Sequence, residues 1–350
     1  MSSFQLSLLG LGALVLVAVW GFNLWSSRRS QPRKATSSSD TAPAFGGEPE
    51  EAQVAGADVA IEPVLEDDFS HLSFPERKLA LDPLIDVVAS VEVDGVVSGD
   101  AALAAMPSTR RVGSKAFFAE GLSEASGQWE PLLPGRRYTG FQVGIQLANR
   151  LGALNEIEYS EFVVKTQAFA DAMNASVNFP DMLEEVARAR ELDQFASAHD
   201  AQLSMTLHAR SAAWSPGYVQ QHASRLGFVA GSVPGRMVMP ASVPGLPPVL
   251  ALSFDMQAAL ADDPDMSAVR SVVLSLDVPQ VSQSEQPFER LRHTVQTLGV
   301  DMDAVLTDGA NQTLSEQALE QVGIELQGLY KALDERELSA GSPQARRLFS

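Results

Sequence analysis

An α+β fold built on a largely antiparallel sheet is what this 350-residue sequence predicts, and three observations lead there. From about Asp82 onward, short β-type runs alternate with amphipathic stretches of helical length. The β-type runs alternate with period two and lack the continuous apolar character of strands buried on both faces. Pro/Gly turns separate many of them. Helices gathered on one face of such a sheet would leave the other face free to bind.

The elements follow in order. "LIDVVASVEV" reads as a strand, "SGDAALAAM" as a short helix opened by a serine cap, and "YTGFQVGIQLANR" as an alternating strand. "NEIEYSEFVVKTQAFADAMNA" is an amphipathic helix with Ile157, Phe162, Phe169 and Met173 among its apolar positions. "DMLEEVARARELDQFASAHD" is a further helix capped by Asp181.

In the second half "LSMTLHA" is a strand, and "SPGYVQQHASRLG" is a helix with Ser215 as cap and Pro216 at its first position. "RMVMPA", "VLALSF" and "SVVLSLDVPQV" are strands, "PFERLRHTVQTLG" a helix, "AVLTDG" a short strand, and "TLSEQALEQVGIELQGLYKAL" a capped final helix. "GFQVGIQL" and "SVVLSLDV" stand at similar distances from the helices that follow them, as in a divergent duplication. Two unrelated α+β halves with one common element order fit the same spacing.

The N-terminus is of another kind. From Phe4 to Trp25 no residue is charged, enough to cross a bilayer's hydrocarbon core. A cleaved signal would need basic residues ahead of the apolar run, and there are none. Arg28, Arg29, Arg33 and Lys34 crowd the far side, predicting an N-out, C-in single-pass anchor with Trp20 and Trp25 at the interface. The stretch to about residue 80 is rich in Ser, Pro, Gly, Ala and acid, the composition of a flexible tether.

Composition narrows the function. Four of the 25 basic residues sit in the cluster after the apolar run, which leaves 21 against 44 acidic ones and a body near −23. A field of that sign repels nucleic acid and anionic lipid heads. With no cysteine there is no disulfide, thiolate metal site or Cys nucleophile.

No phosphate-binding loop, HExxH, GxSxG or calcium loop occurs, and the five histidines stand at spacings that suit no metal. The acid pairs Glu184–Glu185 and Asp262–Asp263 would serve acid–base chemistry only in a cleft that raised one pKa; on helix and turn surfaces they are solvated charges. The expectation is a protein that is not an enzyme and uses no cofactor, metal or small-molecule substrate.

What stands out is an apolar, methionine-rich set in the second half. Met237 and Met239 share one face of their strand, and Leu252, Phe254 and Met256 share one if that strand runs so far. Val273 faces opposite Val272, Leu274 and Leu276. Methionine fills irregular cores, and it also lines adaptable surfaces that bind apolar helices.

From Leu203 to about Leu333 the strand "MTLHA", the helix "SPGYVQQHASRLGF", the strands "VLALSFDM" and "VVLSLDVP", and "LTDG" followed by "TLSEQAL" come in an order that resembles the C-terminal domain of the ZipA family of bacterial cell-division proteins. The anchor and tether resemble that family too. The resemblance implies a split β-α-β fold with an open apolar groove that takes the C-terminal tail of FtsZ. It implies Met237, Met239, Leu252, Phe254, Met256 and Val273 as groove positions, with Ser275 where a larger apolar contact is expected. Gln202, Ser204 and Thr206 would border the groove, with Leu203, Met205 and Leu207 packed beneath.

The resulting layout is an anchor over 1–27, a basic cluster and linker over 28–80, an α+β domain over 81–200, a ZipA-like domain over 201–335 and a disordered tail over 336–350. The expected role is an adaptor in the bacterial inner membrane at the division site, its N-terminus periplasmic and its domains cytoplasmic. It would bind FtsZ and, through its first helix, the bilayer. A scaffold for another envelope peptide is the alternative, and an anchored hydrolase a more distant one.

Overall fold

A computed structural model describes residues 81–261, 263, 267–309 and 312–350. Phe4, Trp20, Trp25 and the basic cluster from Arg28 to Lys34 lie outside the described residues. Among the described residues no helix is long and apolar enough to cross a membrane. The described chain forms two compact units, one of residues 81–146 and 155–186, the other of residues 147–154 and 187–350.

In the first unit the elements run β1 (Asp86–Ser98), α1 (Gly99–Ala105), β2 (Arg111–Val112), β3 (Lys115–Ser123), β4 (Trp129–Pro131) and β5 (Arg137–Gln146). The hairpin β6 (Ala148–Asn149) and β7 (Gly152–Ala153) belongs to the other unit. The chain then returns with α2 (Glu156–Asp171), β8 (Ala175–Asn178) and the first turn of α3 (Met182–His199).

The sheet order is β2-β3-β5-β1-β8 with β4 on β3, antiparallel at every pairing. Its core is aromatic: Phe141 meets Phe169 edge-on at 5.7 Å between ring centroids, and Phe117 meets Phe162 at 6.1 Å. Local signals act as expected. Ser98 caps α1 through the Ala101 amide, and Asp181 accepts from the Leu183 and Glu184 amides. Asn155 and Glu158 close a capping box on α2.

The second unit continues from α3 with β9 (Gln202–Ala209), α4 (Pro216–Arg225), β10 (Val229–Ala230), β11 (Arg236–Met239), β12 (Leu250–Phe254) and α5 (Met256–Ala259). Then come β13 (Ser271–Asp277), α6 (Pro287–Asp301), β14 (Ala304–Thr307), α7 (Glu316–Glu335) and α8 (Pro343–Leu348). The sheet order is β10-β11-β12-β13-β9-β14, again antiparallel throughout. Helix α6 packs on β9, β13 and β14, and α4 packs on α6.

Both six-stranded sheets place the long strand that comes first in each between the strand ahead of the long helix and the short strand after it. The triplets are β5-β1-β8 and β13-β9-β14. The element order read twice along the sequence is therefore also one strand order used twice.

Three expectations are corrected. Residues 336–350 are not a disordered tail: Ser342 caps α8, and Leu348 and Phe349 are buried, with Gln280 Nε2 donating to the Phe349 carbonyl at 2.6 Å. An apolar Leu-Phe pair at a chain end is held by burial, which composition does not show. The boundary near residue 200 also shifts, since 187–200 and the hairpin at 147–154 pack with the second unit. Strand β3, whose "KAFFAEGLS" has no clean alternation, is added to the predicted set.

One buried carboxylate ties the loop after β11 to the start of α6. The Ser242 hydroxyl and its amide (2.9 Å) both donate to Glu285 Oε1, and Arg290 lies 3.1 Å from Oε2. These contacts, the serine hydroxyl foremost, hold the Glu285 carboxyl below its ordinary pKa. A depressed folded-state pKa contributes stability that is present above the unfolded value near 4 and is lost as pH falls through the folded one. Ser242→Ala is expected to cost roughly 1–3 kcal/mol at pH 7, and urea titrations at pH 7 and pH 3 should show the gap from wild type shrinking at the lower pH.

Candidate functional site

The side of the second sheet away from the helices is the candidate surface. Its composition follows from strand pairing, because residues directly opposite on neighbouring strands share a face. Leu207, Met205 and Leu203 pair with Val272, Leu274 and Leu276, and Leu274 pairs in turn with Leu252, which pairs with Met237. That connected set is buried apart from the half-exposed Leu203. It is the helix side.

The opposite side carries two long rows. Thr307, Thr206, Val273, Ser253 and Arg236 lie in one, across five strands. Ser204, Ser275, Ala251, Val238 and Val229 lie in the next. All but Thr307 are exposed or half-exposed. The floor is thus shallow: short apolar side chains flanked by hydroxyls, with Arg236 as the charge at one end.

At the far corner Asp277 pairs with Gln202 and meets Arg150 of the β6–β7 hairpin. Arg150 makes two-pronged contacts to both Asp200 and Asp277 at 2.7–2.9 Å. These carboxylates, Asp200 first, raise the already high pKa of its guanidinium. Arg150 fixes the corner and offsets one of the two acids' charges.

The predicted groove residues separate on this frame. Val273 and Ser275 stand on the open side as expected, and Gln202, Ser204 and Thr206 border it with Met205 and Leu207 buried beneath. Met237, Met239, Leu252 and Phe254 do not line the open face. They point to the helix side and are at most 8% exposed. Met256 is 51% exposed, but β12 ends at Phe254 and Asp255 caps α5 through the Gln257 amide, so Met256 opens a helix.

The cause is parity. "RMVM" and "LALSF" have apolar residues at both alternate positions, and a shift of one residue moves the whole set to the other face. Arg236, Val238, Ala251 and Ser253 were missed. The signal was present in Arg236, Ser253 and Ser275, polar residues that fall on one face once β9 sets the register.

The remaining polar candidates have local roles. His199 stacks on Phe195 at 4.2 Å, and His222 lies against Tyr218 at 4.4 Å between ring centroids. Glu184 is exposed while Glu185 is buried, and Asp262 lies outside the described residues. Among the described residues no three His, Asp or Glu side chains cluster as metal ligands. On the helix side Met239 instead edges a hollow of about 370 Å³ with Leu226, Pro240, Arg290 and His293. Tyr330, its hydroxyl pushed up to about 12 by burial, lines another hollow with Phe288 and Leu326.

Comparison with known proteins bears on this half of the chain. Residues 258–323, which carry β13, α6, β14 and the start of α7, match the family model of ZipA, C-terminal FtsZ-binding domain. That segment is similar to the ZipA C-terminal domain. No curated protein matches it. Among solved structures, berberine bridge enzyme from Eschscholzia californica aligns at 12% identity over 75% of this chain and 53% of that one. Its TM-score of 0.14 carries no argument about fold or activity.

Proposed function

We propose, from the premise of a ZipA-like second unit, that this chain is a membrane-anchored cell-division adaptor that captures the C-terminal tail of FtsZ on the open face of the second sheet. One observation carries the reading: within and beside the segment that matches an FtsZ-binding family, the sheet is covered by helices on one side and bare on the other. Val238, Ala251 and Val273 offer an apolar floor, Ser204, Thr206 and Ser275 offer hydroxyls to the peptide backbone, and Arg236 offers a cation to an acidic flank.

Such a face binds one tail weakly. A micromolar dissociation constant corresponds to about −8 kcal/mol. A filament presents many tails to many anchored adaptors, so avidity raises the effective affinity on the order of a hundredfold without a new contact. The anchor thereby converts a weak tail-binder into a filament tether. No step of the mechanism is catalytic. The shared strand order of the two units is accounted for by duplication of one ancestral α+β unit.

The direct test is titration of a labelled FtsZ C-terminal peptide with the body from Asp82 to Ser350, where saturable binding is expected. A folded body that fails to bind that peptide, yet retains another envelope peptide, would transfer the reading to a scaffold. Deleting the residues before Arg28 should leave tail affinity unchanged and move the protein from the membrane fraction to the supernatant. Sedimentation with vesicles undiminished by that deletion would remove the anchor from the proposal.

A further inference from the structure

Two helices of the second unit enclose a hollow of about 250 Å³ that holds none of the open-face residues. On α7, Gly323, Leu326, Gln327 and Tyr330 fall at spacings of three and four and so share one helix face. Opposite them stand Pro287, Phe288 and Glu289 in the first turn of α6, with Gln283 of the 3₁₀ turn before it. The helices approach closely there, since a Cβ at Gly323 would lie 3.1 Å from Phe288 Cε1. Phe288, Leu326 and Tyr330 are buried and make the floor, whereas Gln286 and Glu289 are exposed at the rim.

Two features point to a hydrogen-bonding ligand. Tyr330 is 5% exposed, and its hydroxyl has no hydrogen-bond partner among the described residues. A buried hydroxyl is ordinarily paired. The Glu289 carboxylate, second to burial, raises the pKa of that hydroxyl, so the phenol faces the first turn of α6 and keeps its proton as a donor. At the same turn Gln286, in left-handed backbone, makes no side-chain hydrogen bond to the helix it opens, and Pro287 has no N–H. The Phe288 and Glu289 amides are thus left without a side-chain cap.

We propose that this hollow binds a neutral primary carboxamide, its carbonyl accepting from the Tyr330 hydroxyl and its amino group donating to the Glu289 carboxylate, with Phe288 and Leu326 against the apolar group it carries. Other charge types fit less well. A carboxylate would accept from Tyr330 but sit against Glu289 in a strongly acidic body. An ammonium would suit Glu289 and leave Tyr330 unpaired. One planar amide sets an acceptor beside a donor and serves both. A small molecule such as nicotinamide presents that group, and so does the glutamine side chain of a partner peptide. The site lies apart from the open face and does not depend on FtsZ binding.

The test is ligand-observed NMR titration of the full chain in detergent micelles, each carboxamide beside its carboxylate counterpart. Nicotinamide is set against nicotinic acid, and N-acetylglutamine N-methylamide against the glutamate analogue. At least one carboxamide is expected to bind saturably below about 10 mM, the range its size allows, and roughly tenfold more tightly than its carboxylate. The tighter of the two carboxamides identifies the source as a small molecule or a peptide side chain. Tyr330→Phe should weaken it roughly tenfold without lowering the melting temperature, because the hydroxyl removed is unpaired in the free protein. Glu289→Gln, at an exposed position, should bring carboxamide and carboxylate within about threefold of each other. Failure of both carboxamides to bind, equal binding of the carboxylates, or binding undiminished in both variants would each overturn the proposal. So would a Tyr330→Phe melting temperature well below wild type, which would mark the hydroxyl as already held in the free protein.

Discussion

Val273→Asp is expected to weaken FtsZ-tail binding at least tenfold while leaving the melting temperature within a few degrees of wild type. Val273 is half-exposed at the centre of the open face, between Thr206 and Ser253. A carboxylate is well hydrated there in the free protein, but a docked apolar peptide would strip its water without supplying a partner, at a cost of about 1–3 kcal/mol or more.

Leu252→Ala should behave in the opposite way. Leu252 is fully buried on the helix side between Met237 and Leu274, so truncation leaves a cavity and costs about 2–5 kcal/mol of stability. Tail affinity of the fraction that stays folded should be unchanged. Peptide titration and urea denaturation on both variants separate the two faces. If Leu252→Ala lost binding at full stability and Val273→Asp kept it, the site would belong on the helix side, by the hollow that Met239 edges.

The second large effect concerns where the second unit begins. A piece starting at Ala201 matches the predicted 201–335 boundary but lacks the β6–β7 hairpin and the end of α3. Arg150 and Asp200 would both be gone from beside Asp277, together with the wall that Asn149, Gly152 and Ala196 make with Leu348 and Phe349. Removing one partner of such an ion cluster costs several kcal/mol when it is buried, and Arg150 is about a quarter exposed. Discounted for that exposure, Arg150→Met alone should cost about 1–3 kcal/mol.

Adding newly exposed Leu348 and Phe349, each a further few kcal/mol at full exposure, takes the loss to the scale of a domain's whole stability. The piece from Ala201 is thus expected to unfold or aggregate at 37 °C, whereas the body from Asp82 melts cooperatively. Circular dichroism melts of the two pieces decide this. Equal melting temperatures would show that the hairpin and the end of α3 contribute nothing.

Taken by itself, the sequence determined the elements whose signals are local. Ser98, Asp181 and Ser215 each announced a helix start, and a side-chain oxygen of each accepts a hydrogen bond from a first-turn amide. The alternation in "QLSMTLHA" assigned β9 its two faces, since its polar and apolar residues never share a parity before His208. The order of these elements carried the α+β class and the family likeness.

Only the tertiary structure decided the face of β11 and β12, because "RMVM" and "LALSF" are apolar at both parities and the side chains take their direction from the neighbour each strand pairs with. The same holds for the hairpin at 147–154, which lies between elements of one unit in sequence and packs with the other. It holds as well for Leu348 and Phe349, which are buried where Gln280, some 70 residues away, donates to the Phe349 carbonyl. Caps and periodicity are written within a few neighbouring residues, whereas register and burial belong to pairs of segments and exist only once those segments meet.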